Sequence, residues 1–265
     1  MANDANGSVN HRQPGMGSVL PEDTEMTGMV RLMEDSKQHT VYVFWDHSNI
    51  FVAGRAFADR TEGFTFGAGM RIHFKNLIRL ALANRQAGRV ICIGSAADPQ
   101  IEKLLRDTGA EVELYERGAF SGREQGVDQC LQVHMLRTAL DVRPPGIAVL
   151  LTGDGAGYEG GTGFHADLQR LHKQGWGIEV LAWMHSCGSP LRSWAKSAGV
   201  FIPLDNYYRS ITFVADLRGA EPLSLKNRAK AVPNVQQREF SIECPASLAG
   251  PVVSTETVSG GIGDR

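Results

Sequence analysis

The chain has 265 residues, 42% hydrophobic and 21% charged, with a formal net charge of −2 at neutral pH. That length allows one ordinary domain with tails or two small ones. The charge balance excludes a histone-like or purely nonspecific nucleic-acid binder, so any contact with a polyanion must be a local patch.

Residues 1–38 are polar, dotted with Gly and Pro, and without periodicity, which predicts a disordered N-terminal tail. They contain no apolar stretch of the kind a secretory signal needs. "VYVFWD" (41–46) is β-branched and aromatic, as a buried strand should be, and it ends on an acid. After the aromatic loop "EGFTFGAG", the segment "MRIHFKNLIRLALANRQAG" reads as an amphipathic helix. Ile72, Leu77, Ile78, Ala81 and Leu82 form its apolar face and Gly88 its C-terminal cap.

"RVICIGS" (89–95) is a second strand, "PQIEKLLRDTGA" a helix with Pro99 in its first turn, and "EVELYERG" (111–118) a third strand. "VDQCLQVHMLRTAL" (127–140) is a helix and "GIAVLLTGD" (146–154) a fourth strand. "GFHADLQRLHKQG" is a helix ended by Gly175, and "IEVLAWM" (178–184) a fifth strand, with Trp183 in the core. "PLRSWAKSAG" is a short helix and "VFIPLD" a last extended piece.

From residue 215 onward Pro, Ser, Gly and charge mix, which predicts a mostly disordered tail over 215–265 and a folded domain over 39–214. No apolar run approaches the ~20 residues of a membrane span. Cys92, Cys130, Cys187 and Cys244 are far apart and form no CxxC pair, which argues for a reduced, cytoplasmic compartment over a disulfide framework.

Strands alternating with helices predict an α/β domain with a mostly parallel, five-stranded sheet and helices on both faces. We expect a flavodoxin-like strand order, with strand 1 central and beside strand 4. Ligands of such sheets bind beyond the carboxyl ends of the strands, where the order reverses. Three acids occupy that region: Asp46 ends strand 1, Asp154 ends strand 4, and Asp128 opens the helix leading into strand 4. Crowded carboxylates raise one another's pKa unless a cation neutralises them. Mg²⁺ or Mn²⁺ suits such oxygen ligands and promotes phosphodiester hydrolysis. Each acid also has a structural use, Asp46 and Asp154 in turns and Asp128 at a helix dipole.

With these residues in view, the chain resembles the NYN domain family of PIN-like ribonucleases. The resemblance covers residues 40–210 and rests on "VYVFWDHSNIF", "REQGVDQCL" and "LLTGDG" followed by "FHADLQRLHKQGWGIEVLAW". It implies a PIN-like three-layer sandwich, an acidic pocket for Mg²⁺ or Mn²⁺, and RNA as substrate, cut by a metal-activated water. Carried over to this chain, Asp46, Asp128 and Asp154 match the family's metal acids, and Asn49 the Asn that follows the first of them. Asn49 cannot act as a base; its amide would position a water or ligand.

The acid set is thinner than the family's. Ala156 and His134 stand where many members carry further acids, and Glu159 or Asp167 are the candidate replacements. At ~100° per residue, His134 points away from Asp128 on a helix. Arg55, Arg117 and Arg123 on loops are candidate phosphate contacts, and Tyr158 a candidate base-stacking residue. His185, just past the fifth strand, serves as a structural hydrogen-bonding group or approaches the pocket.

Two other readings stand beside hydrolysis. One is an inactive RNA-binding or scaffolding domain. The other is a nicotinamide-dependent oxidoreductase, suggested by the G-x-G-x-x-G match "GAGYEG" (155–160) with Glu179 as the distant acid.

Overall fold

The computed structural model describes residues 39–95, 98–115, 126–152 and 161–234. Its centre is a six-stranded, all-parallel sheet built from β1 (Val41–Asp46), β3 (Ala87–Ser95), β4 (Glu111–Tyr115), β5 (Ile147–Leu151), β6 (Gly177–Ala182) and β7 (Val200–Pro203). Strand order is β4-β3-β1-β5-β6-β7, and a small antiparallel pair, β2 (Met70–Ile72) with β8 (Thr212–Val214), stands apart from it. The fold class is the expected one. "VFIPLD" supplies the sixth strand of the main sheet, beyond the five expected.

The topology corrects the expected order in one respect. Strand 1 is indeed central and beside the strand at 147–151, with the strand at 87–95 on its other side, but the strand at 111–115 lies beyond that one, at the sheet edge. Counted within the main sheet, the order is 3-2-1-4-5-6, the doubly wound dinucleotide-fold order rather than the flavodoxin one. Periodicity marks which residues form strands and carries no information on which strand lies beside which. After β1 the chain moves outward to β3 and β4, then returns to the far side of β1 as β5. The order therefore reverses between β1 and β5.

Two apolar layers flank the sheet because the side chains of each strand alternate between its faces. On one face Val43, Trp45, Val149 and Leu151 pack with Ile50 of α1 (His47–Glu62), Leu77 of α3 (Phe74–Leu82) and Leu105 of α4 (Pro99–Arg106); α2 (Phe64–Gly69) joins α1 to β2. On the other, Phe44, Ile91, Ile93 and Leu150 pack with Leu131 of α5 (Val127–Asp141), Leu168 of α6 (Gly163–Lys173) and Leu191 of α7 (Ser189–Ala198). A 3₁₀ turn (Leu204–Tyr207) and the short α8 (Tyr208–Ile211) lead into β8. Trp183 is fully buried and donates its indole N–H to the Ile50 carbonyl at 3.0 Å, as a core residue with a polar edge must.

Local differences from the sequence reading have identifiable causes. The chain enters helix α1 directly after Asp46, and "FTFGAG" is helical rather than loop. The amphipathic segment divides: Ile72 belongs to β2, paired with Thr212, and the helix begins only after His73, whose Nδ1 accepts the Asn76 N–H at 3.2 Å. A partner strand from far along the chain thus overrides helical spacing at residues 70–72. Gly88 is not the cap. The helix ends at Ala83, in the left-handed region at φ 49°, and Gly88 lies in β3. A Cβ there would come within 2.5 Å of the Tyr42 ring and 2.8 Å of Thr40 Cγ2, so close approach is what requires glycine.

Beyond Val214 the described chain runs to Asn234, past the boundary set from composition. It lies against the domain through polar contacts, among them Glu221 N–H to the Arg209 carbonyl, and through Leu223, Leu225 and Ala231, which pack on the core. Asn234 N–H donates to the Gly175 carbonyl, and Arg228 is buried against Glu179. Glu179 is fully buried near the start of β6. Its carboxylate receives Arg85 Nη1 at 2.7 Å, Arg85 Nη2 at 2.9 Å, Arg228 Nη2 at 2.6 Å and the Ala231 N–H at 2.8 Å. Burial alone would raise this acid's pKa; hydrogen bonds and charge from Arg85 and Arg228 outweigh it and hold the pKa below the ordinary value.

Candidate functional site

Because every strand of the main sheet is parallel, the carboxyl ends of β1, β3, β5 and β6 share one rim. The switch of strand order falls between β1 and β5, which picks out Asp46 and the residue after β5. Asp46 is only 2% exposed. Its Oδ1 accepts the Asn49 N–H at 2.9 Å, which caps α1 and fixes the carboxylate's orientation. The turn-capping role and a ligand role are compatible, since one capping bond uses one lone pair of a carboxylate. Asn49 contributes its backbone to this cap from the first turn of α1.

Alternation sets the direction of the rim side chains. Trp45 and Leu151 are register partners on the α1 face, so the next residues, Asp46 and Thr152, turn toward the α5 face. Helix α5 follows the connection leaving the carboxyl end of β4 and runs back toward the start of β5, so its first turn lies at the rim. Asp128 occupies that first turn and is exposed. Asp46 and Asp128 therefore share one edge of the sheet.

Thr152 was not singled out from the sequence. It is fully buried, and its hydroxyl has no hydrogen-bond partner among the described residues. A buried hydroxyl left unsatisfied costs about 1–3 kcal/mol, which calls for an explanation at this position. The available signal was a Thr closing the wholly apolar run "IAVLL" at the point where strand order reverses. A buried carboxylate ending one strand, with an orphan hydroxyl just past the end of the neighbouring one, is an oxygen donor set, and it fits a hard divalent cation. The charge of Asp46 reaches Cys92 as well: burial pushes the Cys92 thiol up, and Asp46 pushes it further.

Other predicted residues fall elsewhere. Asp154, Arg117, Arg123, Tyr158 and Glu159, together with the glycine motif at 155–160, lie outside the described residues. Asp167 is buried on α6 and takes Arg170 Nη1 at 2.7 Å, while Arg170 Nη2 reaches the Gly161 carbonyl. Burial raises the Asp167 pKa, with Arg170 partly opposing it. This pair ties α6 to the segment before it. His185 stacks on Phe57, with ring centroids 6.4 Å apart. Glu179, the acid required by the dinucleotide reading, is saturated by two arginines and lies near the wrong end of its strand to meet a ribose.

A groove of about 1140 Å³ opens beside the rim. His47, Ser48 and Ser95 form its inner end, where Ser48 Oγ accepts the Ser95 N–H at 2.8 Å and joins α1 to the end of β3. Its walls carry Arg55, Arg71 and Lys75 together with Phe51, Phe74 and Phe213. Arg55 is exposed, donates to the Gly67 carbonyl at 3.2 Å and lies 5.9 Å from the Phe51 ring centre. Cations interleaved with aromatic rings can hold phosphates and stack bases.

A second cluster lies on the α5 side of β4. His134 Nε2 is 2.8 Å from Glu113 Oε1, and Cys130 Sγ is 3.3 Å from Glu113 Oε2. His134 thus pairs with Glu113 on a different helical face from Asp128, as its spacing predicted. Burial would raise the Glu113 pKa, but hydrogen bonds from Cys130, His134 and Tyr115 hold it below the ordinary value.

Among the described residues no helix is long and apolar enough to cross a membrane. The chain matches the family model of the NYN domain over residues 40–209. No curated protein matches it.

Proposed function

From the chain's membership of the NYN domain family, whose fold is PIN-like, we propose that it is a Mg²⁺- or Mn²⁺-dependent ribonuclease. It hydrolyses RNA phosphodiester bonds at the rim around Asp46. The observation that carries this reading is that a buried carboxylate, Asp46, and the orphan hydroxyl of Thr152 directly follow the register partners Trp45 and Leu151, where the strand order reverses.

Asp46, Asp128 and Asp154 would hold the ion, with Thr152 as an added oxygen donor. When bound, the ion supplies the charge that polarises a phosphodiester and acidifies an attacking water. The protein's own part is orientation. The capping bond from Asn49 N–H orients the Asp46 carboxylate, and the register of β1 with β5 brings it to the same end of the sheet as Thr152. Arg55, Arg71 and Lys75 bind the phosphates of a single strand lying in the groove, while Phe51, Phe74 and Phe213 stack on its bases. No covalent enzyme intermediate is formed.

Cleavage of labelled single-stranded and structured RNAs, with Mg²⁺ or Mn²⁺ against chelator, tests the proposal. Removing even an outer partner of a metal ligand costs about 10–100-fold, so Asp46→Asn or Asp154→Asn should lower cleavage at least ~100-fold with the fold kept. Equal cleavage by variants and wild type would contradict it. The pairing of Asp167 with Arg170, which leaves the thin acid set without that replacement, favours the rival reading of an RNA-binding domain that does not cut. That rival predicts salt-sensitive RNA binding with no metal-stimulated cleavage.

A further inference from the structure

We propose that Glu113, Cys130 and His134 form a second metal site, separate from the acidic rim and selective for zinc. This site does not rest on the ribonuclease reading. Its ligand atoms, one carboxylate oxygen, one sulfur and one imidazole nitrogen, all lie within 4.8 Å of one another. Cys130 and His134 are one turn apart on α5 and so project side by side, while Glu113 projects from β4 onto the same face of the sheet.

The ligand atoms lie close enough to reach the ion after a small rotation of the Glu113 carboxylate. Zn–S of ~2.3 Å and Zn–N of ~2.0 Å place tetrahedral ligands roughly 3.3–3.7 Å from each other. Cys130 Sγ meets Glu113 Oε2 at 3.3 Å and His134 Nε2 meets Oε1 at 2.8 Å, so the carboxylate has to rotate and the His134 contact to open before one oxygen joins both to the ion. Ligand chemistry selects the metal. Thiolate and imidazole favour a borderline-soft ion such as Zn²⁺ over Mg²⁺, which the all-oxygen rim prefers.

Three protein ligands leave a fourth position open, as in zinc sites that exchange a ligand. The Tyr115 hydroxyl borders the cluster, 3.1 Å from both Cys130 Sγ and Glu113 Oε2. A bound zinc would clamp the edge strand β4 to α5 two residues after Asp128. It would thereby order the helix start that presents that acid.

The test uses the full chain, stripped of metal, with Co²⁺ as the spectroscopic probe and Zn²⁺ as competitor. One equivalent of Co²⁺ should give a thiolate-to-cobalt charge-transfer band that Zn²⁺ removes and excess Mg²⁺ does not. Cys130→Ser should abolish the band, and His134→Ala or Glu113→Gln should weaken Co²⁺ binding at least tenfold. In parallel, Zn²⁺ should protect Cys130 of the unmodified protein from alkylation, mapped by peptide mass spectrometry; this readout does not depend on any variant folding. Absence of the band in the folded wild type, its persistence in Cys130→Ser, or equal alkylation of Cys130 with and without Zn²⁺ would overturn the proposal.

Discussion

Glu179 and Asp46 are both buried carboxylates of one parallel sheet, two strands apart, and they are held in opposite ways. Glu179, near the start of β6, is locked by two guanidinium groups and a backbone N–H, and those contacts bind the segment after β8 to the domain. Asp46, at the carboxyl end of β1, is capped by a helical N–H and faces the rim where the strand order reverses. Burial alone therefore does not mark a functional acid. The proposal for Asp46 rests instead on the end of the strand where it sits and on the groups around it.

The comparison is broken most severely by Glu179→Gln. That change leaves Arg85 and Arg228 buried without their counter-charge, and losing one partner of a buried ion pair costs about 3–5 kcal/mol. Urea unfolding should show the loss. The same residue sets a pH signature. Its folded pKa lies below the ordinary 4.5, so its stabilisation is present above that value and disappears as pH falls through the depressed one. The wild type should lose stability steeply in that acid window, and Glu179→Gln should be flatter there.

A smaller effect of opposite sign is expected at the rim. Thr152→Val keeps the side-chain shape and removes the orphan hydroxyl, so metal-free stability should hold or rise by about 1 kcal/mol. Divalent-ion affinity should fall in the same variant. A loss of stability without a change in ion binding would make Thr152 a structural residue like Glu179.

The smallest effect sharpens the contrast from outside the core. Arg89 and Glu111 form an exposed, bidentate pair across β3 and β4. Exposed pairs contribute about 0–1 kcal/mol, so Glu111→Gln should shift the denaturant midpoint only slightly.

Much of this was legible in the sequence because it depends on local pattern. "VYVFWD", "RVICIGS" and "IAVLL" announce buried strands, and the acids and the NYN resemblance follow from motifs at their ends. What stayed hidden depends on contacts between distant segments. Residues 70–72 leave the helix for a strand because residues 212–214 pair with them. The packing of 215–234 depends on Glu179 calling in Arg228 from forty-nine positions away. Gly88 looks like a cap until Tyr42 is seen against it. Thr152 gains meaning only when the strand order shows Asp46 as its neighbour, and the Cys130–His134 spacing only when Glu113 faces it.

The central claim is that one divalent ion is shared by acids from three distant parts of the chain. Mn²⁺ binding, followed by electron paramagnetic resonance in wild type and in Asp46→Asn, Asp128→Asn and Asp154→Asn, tests it without needing a substrate. Asn caps a helix about as well as Asp, so Asp46→Asn should keep its fold while losing the charge. The account predicts Mn²⁺ affinity at least ~10-fold weaker in each variant, since each removes a direct ligand. Unchanged affinity in all three folded variants would contradict it.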